Sequence, residues 1–307
     1  MIIDVHAHIF PAIRGRIADG PISGIGYGLA EVGGAEIRVL PPLCESTKHT
    51  PEMLVAHMDW TGVEKAVLLQ GPFYGECNDY VRQAVRGYPD RLIGAAYLDP
   101  WLPDCRESLD SICASGGFRA VKLECSDTTG LCSIHSDARL DSPDVRWLWD
   151  ELERSGLVLV LDLGAIGSRS YQTDAVRAIA EEHPSLRVVI AHLGQPNPAA
   201  ESDPTLWRTW EDQISLGKLP NVWFDTASLP CYMSAEGYPF PSAGRYIRTA
   251  VDRIGPEKIM WGTDIPGLLL HATYPQLVRM AHVHLDFLPL VHRALILGDT
   301  ASRVFGL

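Results

Sequence analysis

The sequence predicts an α/β fold: a distorted (β/α)8 (TIM) barrel with an insertion after its first strand and extra C-terminal helices. Three observations predict it. Eight short apolar or β-branched runs punctuate the chain, and helix-like stretches separate most of them. Strands alternating with helices build parallel sheets from βα units, and eight such units close a barrel. The first run, Ile2–Val5, lacks the glycine-rich phosphate turn that a doubly wound open sheet normally carries there.

The runs are Ile2–Val5, Lys65–Leu69, Leu92–Tyr97, Ala120–Leu123, Val158–Leu161, Arg187–Ala191, Val222–Phe224 and Lys258–Trp261. Pro51–Thr61 reads as a helix with proline in its first turn. Asp104–Ser115, Pro143–Ser155, Asp174–Glu182 and Ala243–Ile254 space apolar residues three and four apart. The last 35 residues read as two closing helices. Residues 11–50 break the rhythm, with seven Gly and four Pro. A loop of that length in a compact domain is usually functional or disordered. After the first strand it would cover the active-site face, so a lid with one small hairpin is expected. Cys125–Asp141 and Ser228–Ser242 are further insertions.

The 307 residues hold 38 acidic and 26 basic side chains, a net charge of −12. At ~150 residues per domain two domains are conceivable, but barrels of this class run to ~250 or more as one. One barrel domain over 1–307 is therefore expected. The acid excess argues against a nucleic-acid or anionic-membrane partner, which needs a basic face. With 46% apolar residues the chain can bury a core. Its longest apolar runs, Leu157–Leu161 and Val188–Ala191, fall far below the ~20 residues of a membrane helix. MIIDVHAHIF has no signal-peptide pattern, so a cytoplasmic protein acting on a small molecule is expected. Homo-oligomerisation is left open. Seven cysteines without a C-x-x-C pair argue against a disulfide framework or zinc knuckle.

In such a barrel the chemistry sits at the C-terminal ends of the strands. The first strand ends in His6-Ala7-His8, the fourth in Lys122-Leu123-Glu124, the fifth at Asp162, the sixth at His192, the seventh at Asp225 and the eighth at Asp264. Residues i and i+2 of a strand share a side, so His6 and His8 suit a divalent metal. His282-Val283-His284 has the same spacing in a helix-like stretch, where i and i+2 diverge. Asp264, across the seam from the first strand, can ligate metal and accept a proton. His192 is read as general acid/base or substrate electrophile. Lys122 and Arg119 are candidate substrate contacts, and Asp225 is read as a loop or cap residue.

The H-x-H pair, Ile190-Ala191-His192-Leu193-Gly194 and Gly262-Thr263-Asp264-Ile265-Pro266 resemble the amidohydrolase superfamily. More closely they resemble its amidohydrolase-related branch, which includes aminocarboxymuconate-semialdehyde decarboxylase. The closing Gly298–Phe305 is similar to that branch's G-x-N-A-x-R-x-F, with Thr300 where Asn is usual. The resemblance implies one divalent metal, commonly zinc with manganese an alternative, held by His6, His8 and Asp264, with His192 catalytic beside it. The branch usually has a histidine ligand after the fifth strand, where this chain has Asp162. Three alternatives stay open: Asp162 as ligand, fewer ligands with Glu124 assisting, or a metal-poor site. The last accords with a likeness of His192–Pro196 to the lactonase pattern H-x-x-K-P.

Two enzymatic readings and one other follow. In metal-dependent hydrolysis, activated water attacks a lactone, ester or amide carbonyl, Asp264 takes the proton, and His192 stabilises the oxyanion or donates a proton. In non-oxidative decarboxylation, the same groups protonate the carbon of an unsaturated or aromatic acid as CO₂ leaves. A non-catalytic binding barrel is the third reading. The missing fifth-strand histidine, usual in the decarboxylases, favours hydrolysis.

Overall fold

The computed structural model describes residues 1–18 and 20–307. Among the described residues, twelve strands form two sheets: β1 (Ile3–Ala7), β2 (Arg14–Ile17), β3 (Gly20–Gly26), β4 (Leu29–Val32), β5 (Ala35–Arg38), β6 (Lys65–Leu68), β7 (Leu92–Tyr97), β8 (Phe118–Glu124), β9 (Val158–Asp162), β10 (Val188–Ile190), β11 (Val222–Asp225) and β12 (Ile259–Met260). Eight of them pair in parallel in the order β1-β6-β7-β8-β9-β10-β11-β12, with helices between successive strands. All eight predicted runs are strands of this barrel.

The seam between β12 and β1 closes irregularly. Val5 N donates to Trp261 O at 3.1 Å, Asp264 N to His6 O at 2.7 Å and His8 N to Ile265 O at 2.8 Å. This seam brings the H-x-H pair beside Asp264. It also demands a glycine. A Cβ at Gly262 would stand 2.9 Å from the His6 Cβ and 3.3 Å from the Ala227 Cβ. Gly262→Val is expected to cost ~1–3 kcal/mol by overpacking and to lower the melting midpoint by several degrees in calorimetry. An unchanged midpoint contradicts this packing.

Inside the barrel, Ile3, Val5, Val67, Ile93, Val158, Val160, Val189 and Met260 form an apolar plug. Ala301, Val304 and Phe305 of the last helix, Thr300–Phe305, pack onto it. Apolar side chains thus fill the lower barrel, and polar ones are left for the mouth. A larger core lies between the strands and the surrounding helices.

The helices follow local rules. Thr50 caps Pro51–Thr61 by accepting from Met53 N, and Gly62 ends it in the left-handed region at φ 74°. Thr273 and Gln276 form a capping box at the start of Tyr274–His284. His284 in that helix bonds the Pro239 carbonyl at 2.7 Å, so the second H-x-H has a packing role. Asn78–Gly87 and Pro204–Ile214 are further helices that the sequence reading had not marked.

The expected single hairpin in the insertion is corrected to a four-stranded antiparallel meander, β2-β3-β4-β5. Two tight turns build its last three strands. Tyr27 (φ 47°) with Gly28 (φ 78°), and Gly33 (φ 57°) with Gly34 (φ 81°), place two positive-φ residues at each corner. That is the requirement of a two-residue hairpin turn. Phe10, Ile13, Ile17, Ile22, Ala30 and Leu40 form a core beneath the meander, so it is an ordered layer. No helix among the described residues is long and apolar enough to cross a membrane.

Candidate active site

The polar mouth starts from a break in the strand alternation. Between Asp4 and Ala7 three steps along β1 match two along β6 (Asp4↔Ala66, Ala7↔Leu68), the extra residue of a β-bulge. Val5 packs in the inner plug, yet His6 also faces across the barrel, and His8 follows it on the same side. Ala7 joins the outer core.

Each imidazole is fixed through one nitrogen. His6 Nδ1 donates to Asp225 Oδ2 at 3.1 Å, and His8 Nδ1 donates to the Leu69 carbonyl at 2.9 Å. This leaves each Nε2 lone pair facing the cluster, the arrangement that outer partners impose on metal-binding histidines. His8 Nε2 lies 2.9 Å and His6 Nε2 3.8 Å from Asp264 Oδ1. Burial holds both imidazoles below their ordinary pKa, with Lys122 adding to the effect. Burial alone would raise the Asp264 pKa, but His8, His6 and His192 more than offset it and hold the carboxyl well below its usual range. His8 Nε2 and Asp264 Oδ1 lie at hydrogen-bond distance, 2.9 Å, a contact that a shared proton or a shared metal ion satisfies. His6, His8 and Asp264 therefore fit a divalent metal, with three protein ligands of the kinds zinc accepts.

His192 sits on a turn with unusual backbone: His192, Leu193 and Gln195 have φ of 60°, 51° and 58°. The turn is tied down. His192 N donates to Asp225 Oδ1 at 2.9 Å, Tyr171 Oη to Gly194 O at 2.8 Å and Trp210 Nε1 to Leu193 O at 2.8 Å. The ring lies between two acceptors, the Ala227 carbonyl at Nδ1 (3.2 Å) and Asp162 Oδ2 at Nε2 (3.1 Å). Burial opposes its charge, but the Asp162 carboxylate outweighs this and lifts the pKa to about 9. Burial likewise pushes Asp162 up, and His192, Lys122 and the Gly164 amide more than reverse it. The two form a buried ion pair.

Two residues of the expected ligand set lie apart from this cluster. Asp162 spends its oxygens on His192, Gly164 N (3.1 Å) and Gln195 Nε2 (3.1 Å), and lies outside the His6–His8–Asp264 cluster. Glu124 also lies outside it, accepting from Thr129 Oγ1 at 3.1 Å and Ser126 Oγ at 3.3 Å. Burial raises the Glu124 pKa to about 7 despite Lys122 nearby. Lys122 is buried at the mouth, with Nζ 3.4 Å from His6 Nε2. Arg119 is corrected outright: it is the second residue of β8, exposed at the N-terminal end of the barrel, and does not line the cavity.

Asp225 is more than a loop or cap residue. It is buried at the end of β11 and bridges His6 Nδ1, His192 N and Ala227 N. Its strand-end position was the available signal. Ser228, which bonds Asp264 Oδ2, and Tyr74, whose ring lies 5.0 Å from that of His8, carried no signal in their own segments. Above these groups opens a cavity of about 490 Å³, lined by His8, Lys122, Asp162, His192, Asp264 and residues of the insertion.

Residues 3–307 match the amidohydrolase family. The chain belongs to this family of enzymes. Solved structures superpose on the whole chain. An amidohydrolase from Burkholderia multivorans with bound zinc gives a TM-score of 0.72 at 20% identity, covering 100% of this chain and 99% of that one. A probable 2-pyrone-4,6-dicarboxylic acid hydrolase from Acinetobacter baumannii with citric acid bound gives 0.70 at 20% identity, again covering 100% and 99%. At these identities the likeness establishes the fold. A curated relative, L-fucono-1,5-lactonase of Burkholderia multivorans, is 27% identical over 143 residues, 44% of this chain. The match spans 48% of that relative's length.

Proposed function

We propose that this amidohydrolase-family chain is a metal-dependent hydrolase that opens a small lactone. One observation carries the reading: the Asp264 carboxyl, bonded by Ser228, and the His192 imidazole, paired with Asp162 at 3.1 Å, line the same cavity at the strand ends, placed to serve as base and acid. The two relatives named as lactone hydrolases support lactones over amides and other esters.

His6, His8 and Asp264 would hold a divalent ion, for which zinc is our assignment. Such an ion polarises a carbonyl and acidifies water when bound. The chain's own residues do the rest. Asp264 Oδ2, held by Ser228, is oriented to take a proton from the attacking water. The water oxygen bonds the lactone carbonyl carbon. As the ring C–O bond breaks, the His192 imidazolium gives its proton to the departing ring oxygen, and Asp162 keeps that imidazole charged and oriented. Asp225 holds His6 and His192 in register through its two oxygens. Tyr74 and Phe73 line the cavity beside the insertion, their rings 5.4 Å apart.

The test is a panel of lactones and carboxylated aromatics, assayed for acid release and for CO₂. Lactone opening without CO₂ is expected. CO₂ from an aromatic acid without lactone opening would replace this reading by decarboxylation. Purified protein should also carry about one divalent ion per chain by elemental analysis, falling to near none in His6→Ala. Undiminished metal in that variant contradicts the ligand set.

A further inference from the structure

The cavity has two unlike sides. At the strand ends lie the charged groups already described. Away from the strand ends the lining is mostly apolar: Ile37, Val39 and Leu40 of the insertion, Phe73 after β6, and Leu268 and Leu270 in the short helical turn Gly267–Leu270 after β12, with His271 following them. Lys122 is the one Lys or Arg among the described lining residues. It is 2% exposed, with its Nζ 3.4 Å from His6 Nε2. Asp162, Asp264 and Glu124 line the same cavity.

This lining discriminates among lactones by chemistry. A carboxylated lactone brings its anion towards three acidic side chains, and the lining cations that could receive it, Lys122 and His192, stand among those acids at the strand ends. A polyhydroxylated lactone loses water from hydroxyls that face Ile37, Val39, Leu40 and Leu268, which offer no side-chain hydrogen bond; such burial is unfavourable. An alkyl or aryl group gains by leaving water on the same surface. The cavity, about 490 Å³, is within the usual range for small-molecule sites.

We propose that the substrate is an uncharged lactone bearing an apolar substituent, its ring at the His6–His8–Asp264 end and its substituent against the wall supplied by the insertion and Leu268–Leu270. This rests on the hydrolase reading above. The relatives' printed substrates, a sugar lactone and a pyrone dicarboxylic acid, would then be poor ones for this chain.

The experiment compares three δ-lactones on the metal-loaded protein: one with a short alkyl chain, one polyhydroxylated and one carboxylated, followed by acid release. The alkyl lactone is expected to exceed the others in kcat/KM by on the order of tenfold or more, the selectivity a few methylenes supply in an apolar pocket. Leu270 is 41% exposed, so Leu270→Asp is compatible with folding. This variant should erase most of that preference, mainly through KM. Equal or better turnover of the polyhydroxylated or carboxylated lactone overturns the inference and leaves the hydrolase reading standing. Opening of none of the three would count against the hydrolase reading. Calorimetric titration with the matching lactams then judges the inference by itself: tighter binding of the alkyl lactam supports it, and equal or weaker binding overturns it.

Discussion

Asp264→Asn is expected to lower kcat by on the order of 10³-fold while leaving a cooperative melt, because it removes a proton acceptor without removing volume. Asn can still accept from Ser228 through its carbonyl oxygen, so the local shape survives. What is lost is the negative charge beside His6 Nε2 and His8 Nε2, and with it both the base and a metal ligand. Two measurements separate these losses. Metal content by elemental analysis reports the ligand, and turnover at saturating added metal reports the base. Since the Asp264 carboxyl is held well below its ordinary range, the wild-type base stays ionised throughout the neutral range. Turnover within a few-fold of wild type in metal-saturated Asp264→Asn would remove Asp264 from the mechanism.

Asp162→Asn carries the second large effect, on the order of 10²-fold in kcat, with a diagnostic pH signature. His192 is protonated below about 9 because Asp162 outweighs the burial that opposes its charge. The acid form is therefore present at neutral pH and is lost as pH rises through about 9, giving the wild-type rate an alkaline limb there. Removing the carboxylate stabilises the imidazolium less, so its pKa falls and the limb moves to lower pH, towards the ordinary ~6.5 or below. Asn retains an oxygen for the Gly164 and Gln195 donors, which keeps the turn intact. The check is the kcat/KM profile of both proteins across the neutral and alkaline range. A limb that does not move contradicts His192 as the acid.

The strand-end pattern made much of the site legible. His6, His8, Asp264 and His192 could be placed together because a barrel collects its strand ends at one mouth, and titratable residues in those places are chemically conspicuous. The bulge in β1 was not legible, because a register slip depends on pairing with β6 and leaves no mark on spacing. Asp225 looked like a cap because its partners, His6 and His192, lie 219 and 33 residues away. Asp162 stands where a ligand was expected, yet it pairs with His192, a choice decided by geometry between β9 and β10. Arg119 was misplaced because a strand has two ends, and five residues carry β8 from its exposed N-terminal end to Glu124 at the mouth. In the insertion, the glycine pairs that form hairpin turns were present in the sequence, but the short, polar flanking strands hid their pairing.

Turnover in ¹⁸O-labelled water tests most directly the central claim, that water held near Asp264 attacks a lactone carbonyl while His192 protonates the ring oxygen. One round of lactone opening by the metal-loaded enzyme is followed by mass spectrometry of the product. Attack at the carbonyl carbon places one labelled oxygen in the product carboxylate and none in the hydroxyl released from the ring. Label in the hydroxyl, or CO₂ in place of a hydroxy acid, would contradict the account.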